Sequence, residues 1–295
     1  MRDVLAARGG PVLGAYVVPD AGERESAAGA AAAVRDAGAD LVVTATSGPE
    51  RSRYTSTNQS IDLAAACQDR AGIPSVATVT TWSRTVMALQ AHLLGGHARG
   101  VTRLICGNGS PPPGDLSKTD GRWAVDVVEL IGLLRSLNEG VDRHGLRLDA
   151  STRFDIGVRI RAVPRLSAAD RTRISRKIAA GAHFVVTSPV YAREALDPLV
   201  GLVDGAVPVF ATVHQFRTPA EARLLRRELP EGCVPAALVD RLDRAGDRAA
   251  EEGERIAVEL AARLAPATQG IILSRADRPE LVSRVRAALA RPAVG

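Results

Sequence analysis

A chain of 295 residues, 46% hydrophobic and 24% charged, has an ordinary globular balance for one large domain or two small ones, and is ample to bury a core. The net charge of +5 is spread through every expected helix beside Asp and Glu, without basic residues interleaved with aromatics, which argues against a nucleic-acid partner. No apolar stretch reaches the roughly 18 residues that span a bilayer, and MRDVLAARGG lacks the layout of a signal peptide, so no membrane partner and a cytoplasmic location are expected.

In chain order, eight short apolar runs read as strands: VLGAYVV (12–18), ADLVVTAT (39–46), PSVATVT (74–80), TRLICG (102–107), DIGVRIRA (155–162), HFVVTS (183–188), VPVFATV (207–213) and GIILS (270–274). Between them lie ESAAGAAAAVRDAG, SIDLAAACQDRAG, RTVMALQAHLLGG, WAVDVVELIGLLRSL and AADRTRISRKIAAG, with apolar residues at helical spacing and glycine at several ends. The segment around EEGERIAVELAARLA is expected to add one helix before the last strand. With aromatics at only 3%, the core must be layered from Ala, Val, Leu and Ile. Continuous apolar strands alternating with helices predict a parallel sheet covered by helices. Eight such units predict an α/β fold of (β/α)8 TIM-barrel type, a single domain over residues 1–295.

In such a barrel the chemistry sits at the C-terminal ends of the strands. There the fourth run continues as LICGNGSPPPGD, Leu104 to Asp115, whose prolines stiffen the loop and whose glycines permit close backbone approach or a tight turn. An ordinary connecting loop is the alternative reading. Cys67, Cys106 and Cys233 are far apart with no Cys-x-x-Cys pair, which argues against a disulfide framework or a structural zinc. The five histidines are equally scattered; His92 and His97 have the wrong spacing for one helix face, and no metal site is expected.

GVTRLICGNGSPPPGD followed by WAVDVVELI resembles a segment of the methylenetetrahydrofolate reductase family that ends its fourth strand in Arg-Gly-Asp before a proline and glycine loop. FDIGVRIRAVP, RKIAAGAHFVVTSPVYAREAL, VPVFATVHQFRTPAEARLL and VPAALVDRLDRAGDRAAEEGERIAVELAARL resemble later segments of that family in order and spacing, over almost the whole chain. The resemblance implies a barrel that carries FAD and reduces 5,10-methylenetetrahydrofolate to 5-methyltetrahydrofolate with hydride from NAD(P)H. It also implies an acid that protonates N10 of the folate, opening the ring to an iminium at N5.

Several positions depart from the family. Its first strand, roughly Phe-Glu-Phe-Phe-Pro-Pro, is matched to Gly14 through Pro19, which sets Ala15 at the acid's position and leaves the catalytic residue unknown. Glu23 and Glu25 lie beyond the strand and read more simply as charges of the next helix's first turn. The family's Arg-Gly-Asp is Cys106-Gly107-Asn108, Thr78 stands for a histidine, Arg161 for a tyrosine and Trp123 for another tyrosine, whereas Thr44, Ala124 and Lys177 match. The resemblance therefore implies a cofactor set of Thr44, Thr78, Asn108, Trp123, Ala124, Arg161 and Lys177, with FAD weakened by lost contacts and NAD(P)H as a hydride source.

For the folate, it implies Asn108, Asp170 and Ser188, the last in place of a pterin-binding glutamine. Asn108 also reads as a turn residue, and Ser167 with Asp170 as a helix-capping pair. Arg159 and Arg161 alternate with Val158 and Ile160 and share one strand face, which needs an anion if it points into the barrel. Three functions stay open: a flavin-independent reductase, a non-redox enzyme of one-carbon transfer, and a non-catalytic folate-binding protein. A homo-oligomer is left open as well.

Overall fold

The computed structural model describes residues 1–7, 9–17, 24–45, 60–81, 84–109, 125–274 and 278–290. All eight expected strands form: β1 (Val12–Val17), β2 (Leu41–Thr44), β3 (Ser75–Thr80), β4 (Arg103–Gly107), β5 (Asp155–Ile160), β6 (Phe184–Val190), β7 (Val209–Val213) and β8 (Gly270–Leu273). Each pairs in parallel with the next, and β1 pairs with β8, so the sheet closes into a barrel with no free edge. The expected TIM-barrel fold is the one observed.

Closure divides the strand side chains into two apolar layers. Leu13, Ala15, Val42, Leu104, Ile156, Val158 and Ala211 belong to the layer shared with the helices. Val12, Tyr16, Leu41, Val43, Val76, Ile105, Phe184, Val186, Phe210 and Ile272 fill the barrel interior. Phe184 and Phe210 meet edge to face there, with centroids 6.0 Å apart. Their volume is accommodated by glycine: a Cβ at Gly157 would fall on the Phe184 ring and 2.9 Å from the Leu104 carbonyl oxygen.

The helices follow the strands: α2 (Arg24–Asp36), α3 (Ser60–Ala71), α4 (Val86–Ala98), α5 (Val127–Asn138), α6 (Ala168–Ala179) and α7 (Arg193–Val203). They are preceded by the short α1 (Arg2–Ala6), whose Val4 joins the interior cluster. Between β7 and β8 the chain departs from expectation. It forms α8 (Pro219–Glu228), α9 (Ala236–Ala245) and α10 (Ala249–Leu264), two helices more than the usual one, before ending in α11 (Pro279–Leu289).

The added helices have their own apolar cluster, in which Leu238, Val239 and Leu242 of α9 meet Phe216, Tyr191 and Ile256. Gly253 lets α10 approach the chain leaving β7, since a Cβ there would overlap the Phe216 carbonyl oxygen. One residue later, Glu254 is 9% exposed and binds Arg278 and Arg284, each at 2.7 Å. A buried carboxylate thus joins α10 to α11.

Candidate active site

Side chains of a strand alternate between the barrel interior and the helix layer, so phase decides which of them can meet a ligand. Ala15, the position matched to the family's acid, packs in the helix layer with Ala27 and Ala31. A proton donor at this register would point away from the interior. The inward side chain at the end of β1 is Tyr16, 2% exposed.

Across the interior, Arg159 of β5 donates from Nη2 to Tyr16 Oη at 2.6 Å and lies over the phenol ring, 5.5 Å from its centroid. Arg159 therefore takes the inward alternative. It forms no ion pair among the described residues, and its buried Nε has no hydrogen-bond partner. Arg161 lies past the end of β5 and is exposed. Burial pushes the Tyr16 phenol above its ordinary pKa, and the Arg159 charge partly opposes that shift. In β3, Thr78 has a buried Oγ1 that is likewise without a hydrogen-bond partner among the described residues.

Three expected ligand residues are already bonded to the protein backbone. Thr44 Oγ1 donates to the Ser60 carbonyl at 2.7 Å, tying β2 to the start of α3. Asn108 Oδ1 accepts from the Val127 amide at 3.2 Å, supplementing Asp126, whose side chain caps α5 with Glu129 in a capping box. Lys177 Nζ donates to the Arg159 carbonyl at 3.3 Å, and burial lowers its pKa.

Asp170 is half-buried at the third position of α6, where it completes a capping box with Ser167 and pairs with Arg173. Glu25 pairs with Arg70 on the surface. Trp123, Ala124 and Glu23 lie outside the described residues.

Ser188 sits half-buried where the β6–β7 register shifts between Val186 and Pro189. The bulge is closed by side chains: Thr187 Oγ1 accepts from the Thr212 amide at 2.9 Å, and Thr212 Oγ1 donates to the Thr187 carbonyl at 2.7 Å. Cys106 is buried in the helix layer, and apolar surroundings push its thiol pKa up to about 12.

A second polar group escaped sequence reading. Just beyond β7, His214 is 1% exposed, with Nδ1 2.7 Å from Ser274 Oγ and Nε2 3.2 Å from Glu221 Oε1. Aromatic contacts with Tyr191 and Phe216 enclose its ring. The signal was the alternation of VFATVH, which turns His214 to the side of Phe210, but its partners are 7 and 60 residues away. His97 accepts from the Arg153 amide at 3.1 Å, and no group of three or more His, Cys, Asp or Glu could hold a metal among the described residues. No helix among these residues is long and apolar enough to cross a membrane.

Comparison with known proteins bears on this geometry. The family model described as methylenetetrahydrofolate reductase matches residues 16–268. No curated protein matches the chain. Among solved structures, tryptophan synthase from M. tuberculosis is similar in its aminoacrylate- and BRD0059-bound form, with TM-score 0.55, 16% identity and coverage of 98% of this chain and 96% of that one. Its aminoacrylate-bound form gives 0.55 and 16%, with 98% of each chain covered. At such identity these structures share the fold alone.

Proposed function

Because the chain belongs to the methylenetetrahydrofolate reductase family, we propose that it converts 5,10-methylenetetrahydrofolate to the 5-methyl form with hydride taken directly from NAD(P)H. Folate-related one-carbon reduction is the role that the family supports, and its members usually work with FAD. The residues described here are a poor fit to that flavin. Thr44, Asn108 and Lys177 are engaged by this chain's own backbone, and Cys106 faces the helices where the family has a cation.

That engagement is the observation that carries the flavin-free reading. The interior still offers what anionic ligands need. Arg159 is a guanidinium without a carboxylate partner among the described residues, Arg161 is exposed beyond it, and Thr78 holds an unsatisfied hydroxyl. Folate carries glutamyl carboxylates and NAD(P)H carries phosphates, so either meets a cation at the mouth. Asn108 and Asp170 serve helix ends in this reading, and Ser188 at the bulge is left to meet the substrate.

The test is the visible absorption spectrum of the purified protein, followed by NADH oxidation with and without 5,10-methylenetetrahydrofolate. A colourless protein that oxidises NADH only with the folate is the expected outcome. Flavin bands would return it to flavin-dependent reduction. A colourless protein that binds folate yet leaves NADH intact would replace the reading with non-redox one-carbon transfer.

A further inference from the structure

We infer that Tyr16 is the proton donor of this site and that Arg159 is its positioning and charge-stabilising partner, an inference that rests on the folate reading above. Hydrogen-bond polarity assigns the two roles. A guanidinium can only donate, so at 2.6 Å the Tyr16 oxygen is the acceptor. The phenol's own proton is left to point elsewhere, and no acceptor among the described residues takes it. Its natural acceptor is a ligand atom entering from the C-terminal ends of the strands.

Chemistry supports the same role. Tyr16 shares its interior cluster with Val43, Val76, Ile105 and Ile272 from β2, β3, β4 and β8, and among the described residues Arg159 is the charged group bonded to it. Burial among them raises the phenol pKa and keeps the hydroxyl protonated at neutral pH, in the acid form. When the proton leaves, the phenolate already faces a fixed cation, the arrangement that stabilises charge developing in a transition state. Lys177 holds the backbone that carries this cation by its bond to the Arg159 carbonyl. The other candidates are committed: His214 has Ser274 and Glu221 on its two nitrogens, and Lys177 has the Arg159 carbonyl.

In the reaction, the proton passes from Tyr16 Oη to N10 of the methylene-folate. The bond from N10 to the methylene carbon breaks with its electron pair left on N10, while the N5 lone pair forms the iminium. Hydride from NAD(P)H then reduces that carbon to methyl, the nicotinamide is oxidised, and the tyrosinate regains a proton from water.

Tyr16→Phe keeps the ring and removes the donor. Its kcat for folate-dependent NADH oxidation is expected to fall by about 10²- to 10⁴-fold. Calorimetric affinity for 5-methyltetrahydrofolate should stay within about threefold, because an O–H that acts mainly in the transition state contributes little to ground-state binding. The alkaline limb of the wild-type kcat profile, which a phenol raised above its ordinary range places above about pH 10 and which a scan to about pH 11.5 enters, should be missing from the residual activity. Arg159→Met should lower kcat and move that limb to higher pH, since removing the cation raises the phenol pKa, and Arg159→Lys should restore part of both.

Unchanged kcat and pH profile in a folded Tyr16→Phe protein would overturn the inference while leaving the reductase reading intact. An inactive wild-type protein would overturn that reading, and this step with it.

Discussion

Asp170 illustrates how a charged residue at the barrel mouth serves the fold. Its carboxyl is held below the usual range first by the Ser167 hydroxyl and then by Arg173. A carboxylate whose pKa is depressed on folding stabilises the protein above its unfolded pKa, and that contribution is lost as pH falls through the folded pKa. Asp170→Asn should therefore lower the urea midpoint at neutral pH, with the gap to wild type closing below about pH 4. A gap that persists unchanged in acid would show that the charge is not what stabilises α6.

This capping box was readable in SAAD, because its partners are three residues apart. The bond from the Val127 amide to Asn108 spans 19 residues and was not. The phase of β1 was equally hidden. All six of its residues are buried, since a closed parallel barrel covers both faces of each strand, so the sequence shows no alternation to separate Ala15 from Tyr16.

At the scale of elements, the strands were legible because each is a continuous apolar run between turn signals, and their observed starts fall within two residues of the expected ones. The helices between β7 and β8 were less so. α8 and α9 have ten residues each, and PAEARLLRRE shows only a narrow apolar stripe, with Ala222 its one buried residue. The five-residue α1 is too short to carry a periodic signal.

The interior of the barrel depends on one such local match, the absence of a side chain on β5 opposite a phenylalanine of β6. Gly157→Ala should destabilise the protein by about 1–3 kcal/mol in urea titration, because the backbone carbonyl of Leu104 and the Phe184 ring must both give way. Paired with Phe184→Leu, the same alanine should cost markedly less. Equal costs in the two backgrounds would show that the ring is not the obstacle.

On the scale of the whole molecule, closure of the sheet collects residues from distant parts of the chain at one end, so Tyr16 and Arg159 meet across 143 positions. The barrel was legible from its repeats, whereas the pairings across it were not, because they depend on strand order and tilt. The same closure leaves the residues expected from the resemblance to meet a cofactor in three states: bonded to backbone, as Thr44 and Lys177 are; unsatisfied among the described residues and inward, as Thr78 is; or exposed, as Arg161 is.

The carboxylate of Glu254 has a consequence for how the protein opens. Arg278 immediately before α11 and Arg284 within it both pair with this one group on α10, and Gln215 beside β7 reaches it at 3.5 Å. The last two helices are thereby joined as a cooperative unit. Native-state amide exchange should find α10 and α11 opening together with a common denaturant dependence. Glu254→Gln, which keeps the shape and removes the charge, should let α11 exchange well before α10. If the two helices already exchange independently in the wild type, the ion pairs join surfaces without joining their unfolding.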